Sequence, residues 1–391
     1  MSTYKILSLD GGGSWAILQA MALNDIYKNE VTGVAKCTDV LADFDLVVTN
    51  SGGSLVLAAI LSRDNMQEVI DLFKNKTVRD KIFSKLSFWE KSFASHITNL
   101  KKLGPRYKTS RKIDGIRNVL GEFADTRLTD INEKKGITKP QYMVMTFDYD
   151  RNKATYFRST RIDNKPNEVT LAQAVHASSN APINYFDKPA EFMYQGKTRR
   201  YWDGAIGGNN NPCLVAVIEA LALGYKSEDI KVLSIGTGNN LLPMNYFNTD
   251  PVDTYSFLKQ DEKEQSLLND IAKQASTILN EPPDVASYMA HVALGGNGNT
   301  GNTPKIVRMN ALISPELKNG KWTLPVGFDP EIFKQLIALD MDAVENKEVE
   351  LIEYLGNKWL NDGVKNQAIR ANSDLECEIG FGKYSEAKNA W

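Results

Sequence analysis

The chain has 391 residues, 42% hydrophobic and 24% charged, with a formal net charge of −2. That is an ordinary composition for a globular protein with a sizeable core, and a charge so near zero excludes a global pull toward nucleic acid or anionic membrane. The three cysteines, Cys37, Cys213 and Cys377, are odd in number and far apart, which argues against a disulfide framework and fits a reducing compartment. No Cys/His cluster has zinc-ligand spacing, so neither a metal nor another cofactor is expected. The start runs straight into apolar Ile6 and Leu7 without a basic and then apolar leader. The strongest apolar runs, residues 55–61 and 214–223, are too short to span a bilayer. A soluble cytoplasmic protein, at most peripheral on membranes, is the expectation.

In chain order, residues 5–9 read as a buried strand that ends at Asp10 and three glycines, and residues 16–28 as a helix. A second strand over 45–49 leads through Asn50, Ser51, Gly52 and Gly53 to an apolar helix over 55–62. Residues 142–147 and 154–157 read as paired strands about a turn at 150–152. Asn211 and Pro212 open a helix as cap and first residue, and Gly224 stops it. Another buried strand, 231–235, is closed by Gly236, Thr237 and Gly238. Short β-rich runs alternating with helical patterns are the signature of an α/β sheet.

Two segments break that rhythm. Residues 74–112 hold twelve Lys/Arg against two acids, interleaved with Phe83, Phe88, Trp89, Phe93 and Tyr107. Residues 239–304 are loop-rich, with a flexible stretch over 295–299. The expected organisation is one domain over residues 1–375 carrying both segments, then a polar, disordered tail over 376–391.

Ser51 stands between a β-branched strand and an apolar helix, flanked by Gly52 and Gly53. A serine on a sharp strand-to-helix turn is lifted out of the sheet, and glycines let the backbone close around it. The helix N-terminus favours a developing alkoxide. Thr49 replaces the first glycine of the usual Gly-x-Ser-x-Gly, and a serine that merely caps a helix reads the same way. Asp10 with Gly11, Gly12 and Gly13 makes an anion cradle before a helix, suited to a phosphate or an oxyanion; a plain glycine turn is the alternative. The dinucleotide fingerprint fails because residue 16 is alanine. Asp203, after Tyr201 and Trp202 and before Gly204, is placed to project into a cleft, where a carboxylate serves as base to a serine if water is scarce. The three histidines, His96, His176 and His291, read as structural.

The series Asp10 to Gly13, then Asn50 to Gly53, then Ala177, Ser178, Ser179, Asn180, Ala181 and Pro182 with Tyr185 and Phe186, then Asp203, Gly204 and Ala205 with Asn211 and Pro212, then Gly236, Thr237 and Gly238, resembles the patatin-like phospholipase family in order and spacing over residues 4–240. A weaker likeness recurs over 339–355. The resemblance implies a Ser51–Asp203 dyad, an oxyanion hole from the backbone of Gly11, Gly12 and Gly13, and metal-free hydrolysis of lipid acyl esters through acyl-Ser51. The expected substrates are membrane phospholipids or lysophospholipids. The sequence departs from the family pattern at Trp15 and Ala16, where arginine and glycine are usual, and at Thr49, Asn50 and Gly52.

The expected fold is a three-layer α/β/α domain with a largely parallel sheet and the site at the strands' C-terminal ends. Two other readings stay open: a catalytically weak patatin-like module that binds lipid or a partner protein, and a Ser51–Asp203–His291 hydrolase in α/β-hydrolase order. Residues 74–112 suit docking on an anionic lipid surface or a solvated helical face packed by its aromatics. Nucleic-acid binding is not expected.

Overall fold

The computed structural model describes residues 3–87, 104–160, 169–245, 255–261, 282–297, 305–372 and 377–391. Its main sheet is built from β1 (Tyr4–Leu9), β2 (Leu46–Thr49), β3 (Gln141–Asp148), β4 (Lys153–Arg158), β5 (Ala190–Tyr194), β6 (Lys197–Asp203), β7 (Ile230–Ile235) and β8 (Ile306–Met309). The strand order is β8-β7-β1-β2-β3-β6-β5, with β4 also on β3. The pairs from β8 through β3 are parallel, and β4, β5 and β6 join antiparallel.

The parallel strands are buried nearly end to end, because helices cover both faces. Side chains alternate between two cores, as the two-residue period of a strand requires. Leu7, Leu9, Val47, Leu233 and Val307 point to the larger one. There they meet α1 (Ile17–Tyr27), α2 (Ser51–Ser62), α3 (Thr109–Leu120) and α4 (Leu171–Ser178). Ile6, Leu46, Val48 and Val232 point to the other, under α5 (Cys213–Ala222) and α6 (Pro282–Ala293). The fold is the three-layer α/β/α arrangement with a largely parallel sheet.

The antiparallel strand β6 brings the site together. On one flank of β3, β2 ends with Thr49 opposite Val144. β4 occupies the other flank through Asp148, so β6 takes the β2 flank just beyond, with Asp203 opposite Thr146. The ends of β2 and β6 therefore face each other two residues apart along β3, at about 3.3 Å per residue. The residues that follow β2 meet the last residue of β6.

Several local readings change. The helix after β2 begins at Ser51 itself, not at residue 55. The α5 helix begins at Cys213, with Pro212 at the cap position and the Asn211 side chain accepting from Cys213 N at 2.9 Å. The 239–304 region contains α6, and its residues 246–254, 262–281 and 298–304 lie outside the described residues. The expected polar tail is instead packed. α7 (Asn346–Leu360) and α8 (Tyr384–Ala390) lie on the larger core, Tyr384 meets Trp359 at 4.8 Å between ring centroids, and Trp391 stacks on Phe44.

Within 74–112, residues 88–103 lie outside the described residues, Phe88, Trp89 and Phe93 among them. Ile82, Phe83 and Tyr107 form a small core of their own with Phe186 and Val344. Most of the segment's described cations are engaged by other parts of the chain. Lys74 pairs with Glu353, Lys76 and Lys85 with Glu345, Arg106 with Asp340 and Asp342, and Lys108 with Asp187. Among the described residues no helix is long and apolar enough to cross a membrane.

Candidate active site

Ser51 is the first residue of α2, and its φ of +47° lies in the left-handed region. For a residue with a Cβ that conformation is strained by about 1–3 kcal/mol, and such strain persists only where the surroundings hold it. They do so here through small residues and hydroxyls. A Cβ on Gly52 would stand 2.7 Å from the Gly13 carbonyl oxygen, and one on Gly53 2.5 Å from that of Leu9. Glycine alone lets α2 press against the Asp10–Gly13 loop. Ser51 N donates to Ser178 Oγ at 3.0 Å, Ser178 Oγ lies 2.8 Å from Ser54 Oγ, and Ser54 Oγ 3.0 Å from Thr49 Oγ1. Thr49, the departure from the glycine pattern, thus anchors a hydroxyl chain that ends on the serine backbone.

Asp203 is buried at the end of β6. Its Oδ1 accepts from Ala205 N at 2.9 Å and from Asn50 Nδ2 at 3.1 Å, and the nearby Ser51 hydroxyl favours the ionised form. Burial nevertheless raises the carboxyl above its ordinary range, opposed by Ser51, Ala205 N–H, Asn50 and then the charge of Lys112. The site so made is a buried carboxylate beside a serine hydroxyl.

Asp10, at the head of the glycine loop, makes a buried ion pair with Arg308 of β8 at 2.6 Å, and Arg308 also donates to Ser234 Oγ. Burial pushes the Asp10 carboxyl up to about 6 against the pull of Arg308. The Gly11 N–H donates to the Asn210 carbonyl at 2.9 Å, so one of the three expected oxyanion donors is already engaged. The Gly12 and Gly13 N–H groups make no backbone hydrogen bond among the described residues. Gly13 has φ +55° beside the Met341 carbonyl, where any side chain would clash.

His291 is not part of this constellation. It is buried on α6, with Nε2 3.2 Å from the Asn297 carbonyl oxygen, whereas among the described residues Asp203 is hydrogen-bonded by Asn50 and the Ala205 N–H and not by a histidine. His176 is buried on α4, where burial holds its pKa well below the usual imidazole range. His96 lies outside the described residues. Among the described residues no three His, Cys, Asp or Glu converge on a point that would hold a metal ion.

Ser51 opens onto a cavity of about 20 Å³, walled also by Gly13, Lys112, Tyr185, Phe186 and Met341. That is room for about one water. Through Leu55, Ile82 and Phe83 it borders an apolar cavity lined by Ala58, Leu72, Ile116 and Val175. On the other side Ala181, Tyr185 and Met341 separate it from a cavity of about 530 Å³ whose lining includes Asp10, Gly11, Gly12, Arg106 and Arg308. This 530 Å³ cavity is therefore beside the serine rather than around it.

Residues 7–217, more than half of the chain, match the family model described as patatin-like phospholipase. The chain belongs to that family. Lipid hydrolysis is accordingly its family-level activity, and lipids are its substrate class. Among solved structures, VipD from Legionella pneumophila is similar over 92% of this chain and 67% of its own, at 11% identity and a TM-score of 0.38. Human GIVD cytosolic phospholipase A2 is similar over 46% of this chain and 28% of its own, at 14% identity and a TM-score of 0.27. No curated protein matches the chain.

This patatin-like chain fills the departures from the family pattern with specific contacts. Trp15, at the arginine position, donates from Nε1 to the Asp340 carbonyl at 3.0 Å. The cation beside the glycine loop comes instead from Arg308, nearly 300 residues later. Asn50, where threonine is common, bonds the carboxylate itself. Sequence reasoning missed Lys112, Asn210 and Arg308. Ser178 and Asn180 stood within a quoted motif but carried no assigned role.

Proposed function

We propose that the chain cleaves the carboxylic esters of phospholipids or lysophospholipids through an acyl-Ser51 intermediate, with Asp203 as the base. The observation that carries this reading is the strained, buried Ser51 at the start of a helix, beside the desolvated Asp203 that Asn50 and the Ala205 N–H hold in place. Asp203 takes the hydroxyl proton as Ser51 Oγ attacks the ester carbonyl. The oxyanion that forms is received by the Gly12 and Gly13 N–H groups, helped by the α2 N-terminus. Asp203 then returns the proton to the leaving alkoxide, and a water activated by the same carboxylate releases the fatty acid.

The two flanking cavities supply the substrate's ends. The apolar one beyond Leu55, Ile82 and Phe83, about 50 Å³, must widen to take an acyl chain, and the one with Arg106 and Arg308 suits a head group. Because the serine cavity holds about one water, Met341 or Tyr185 must give way for an ester to enter. Products from a mixed lipid extract, compared by mass spectrometry between the wild type and Ser51→Ala, test the reading. Free fatty acids and lysolipids made only by the wild type are expected; equal release by both retires Ser51 as nucleophile.

A further inference from the structure

Lys112 belongs to the basic segment that composition assigns to the surface, yet it is 1% exposed. Lysine is almost never fully buried unless paired. Its Nζ donates to the Ser179 carbonyl, lies 4.1 Å from the centroid of the Phe186 ring, and lines the same cavity as Ser51. Ser179 sits between the two residues that fix the dyad. Ser178 Oγ accepts from Ser51 N at 3.0 Å, and the Asn180 carbonyl accepts from Asp203 N at 3.1 Å. α3 is docked on the following stretch by Thr109, whose N donates to Asp187 Oδ1 at 2.9 Å and whose hydroxyl donates to the Lys188 carbonyl at 2.7 Å. A Cβ on Gly115 would stand 2.6 Å from the Lys81 carbonyl oxygen, so α3 lies close against the chain at Lys81. The lysine is held in place from both ends.

We propose that Lys112 is a positioning residue of the acyl-transfer site, whose buried ammonium holds Asp203 as the carboxylate that takes the Ser51 proton. The inference rests on the Ser51–Asp203 reading and extends it. A carboxylate without an imidazole partner must be desolvated to be basic enough, yet desolvation alone leaves it protonated and useless as a base. A buried cation lining the same site as Ser51 tips the balance toward the ionised form. Burial draws Lys112 toward its neutral form and Asp203 toward its neutral form, and each charge favours the other. The neighbouring ionisable groups are Asp342, which lines the cavity and accepts from Tyr107 and Arg106, and His176, which feels Lys112 and Arg117. Among the groups that favour ionised Asp203, the charge of Lys112 follows Ser51, the Ala205 N–H and Asn50.

The test compares Lys112→Met, which removes charge and donor, with Lys112→Gln, which keeps an amide donor for Ser179 and removes only the charge. In the full-length chain, the Asp203 titration is followed by its carboxyl ¹³C shift, assigned by its loss in Asp203→Asn. The acid limb of kcat/KM on a soluble short-chain ester and the melting temperature are recorded alongside. Both variants are expected to move the Asp203 midpoint and the acid limb together to higher pH, so that activity below the shifted limb falls. If Lys112→Met does not fold, Lys112→Gln carries the comparison. Folded variants whose midpoint and limb stay put overturn the proposal, as does a Lys112→Gln profile identical to wild type. A midpoint that moves in a chain that hydrolyses no ester leaves the hold on Asp203 standing and sinks the hydrolase reading instead.

Discussion

Arg308→Met isolates the buried ion pair beneath the glycine loop. The two side chains meet at 2.6 Å and are 2% and 4% exposed, so solvent screens them little. Removing one member of such a pair costs about 3–5 kcal/mol, because the other charge stays buried. The size of the loss depends on pH in a direction fixed by Asp10. Its folded-state carboxyl lies at about 6, above its ordinary value of 3.8, so the native state holds the proton more tightly than the unfolded chain. The stability this contributes is full below about pH 3.8 and is lost as pH rises through 6. Without Arg308 the carboxyl rises further and the loss continues to higher pH. The gap between variant and wild type should therefore widen by about 2–3 kcal/mol between pH 6 and pH 8. Asp284 and Cys213 also feel Arg308, so Asp10→Asn in the Arg308→Met background is the control and should flatten the profile. Urea unfolding at the two pH values reads the effect. A penalty below about 1 kcal/mol, or one equal at both pH values, refutes the reasoning.

Gly52→Ala places a methyl group 2.8 Å from Gly13 N and 2.7 Å from Gly13 O; the Gly13 backbone cannot yield cheaply, so a stability loss of about 1–3 kcal/mol and a fall in ester hydrolysis are expected, read by thermal melting and a soluble-ester assay. His291→Ala should lower the melting temperature, since the ring is buried, while kcat/KM stays at the wild-type value; a folded but inactive variant would restore the triad. If residues 74–112 dock on anionic lipid, Lys101→Glu with Lys102→Glu should weaken binding to phosphatidylserine vesicles at low salt by about 1 kcal/mol for each charge removed. Unchanged vesicle binding rejects that role.

The sheet was legible because its parallel strands are buried on both faces, so residues 5–9, 45–49 and 231–235 stand out as short, largely apolar runs rich in Ile, Leu and Val. The site's ends were legible because Gly11, Gly12, Gly13, Gly52 and Gly53 mark close backbone approach, which few other residues tolerate. The start of α2 was misplaced because the apolar signal begins at Leu55, whereas the helix is opened by the strained serine and two glycines that carry no hydrophobic pattern. Lys112 was hidden among eleven other basic residues. Nothing local marks a lysine as buried; that follows from Phe186 and Ser179, more than sixty positions away. Arg308 was hidden in the same way, since its partner lies at the other end of the chain. The tail misled because α8 shows solvent its polar face and buries only Tyr384 and Ala387, a pattern too short to rise above a polar composition.

The central claim, that Ser51 is a nucleophile activated by Asp203, is tested most directly by fluorophosphonate labelling of the intact chain, with the adduct mapped by peptide mass spectrometry. The account predicts one adduct, on Ser51, absent in Ser51→Ala and slowed at least a hundredfold in a folded Asp203→Asn. An adduct on another residue, or Ser51 labelling that proceeds at the wild-type rate without the Asp203 carboxylate, would contradict it.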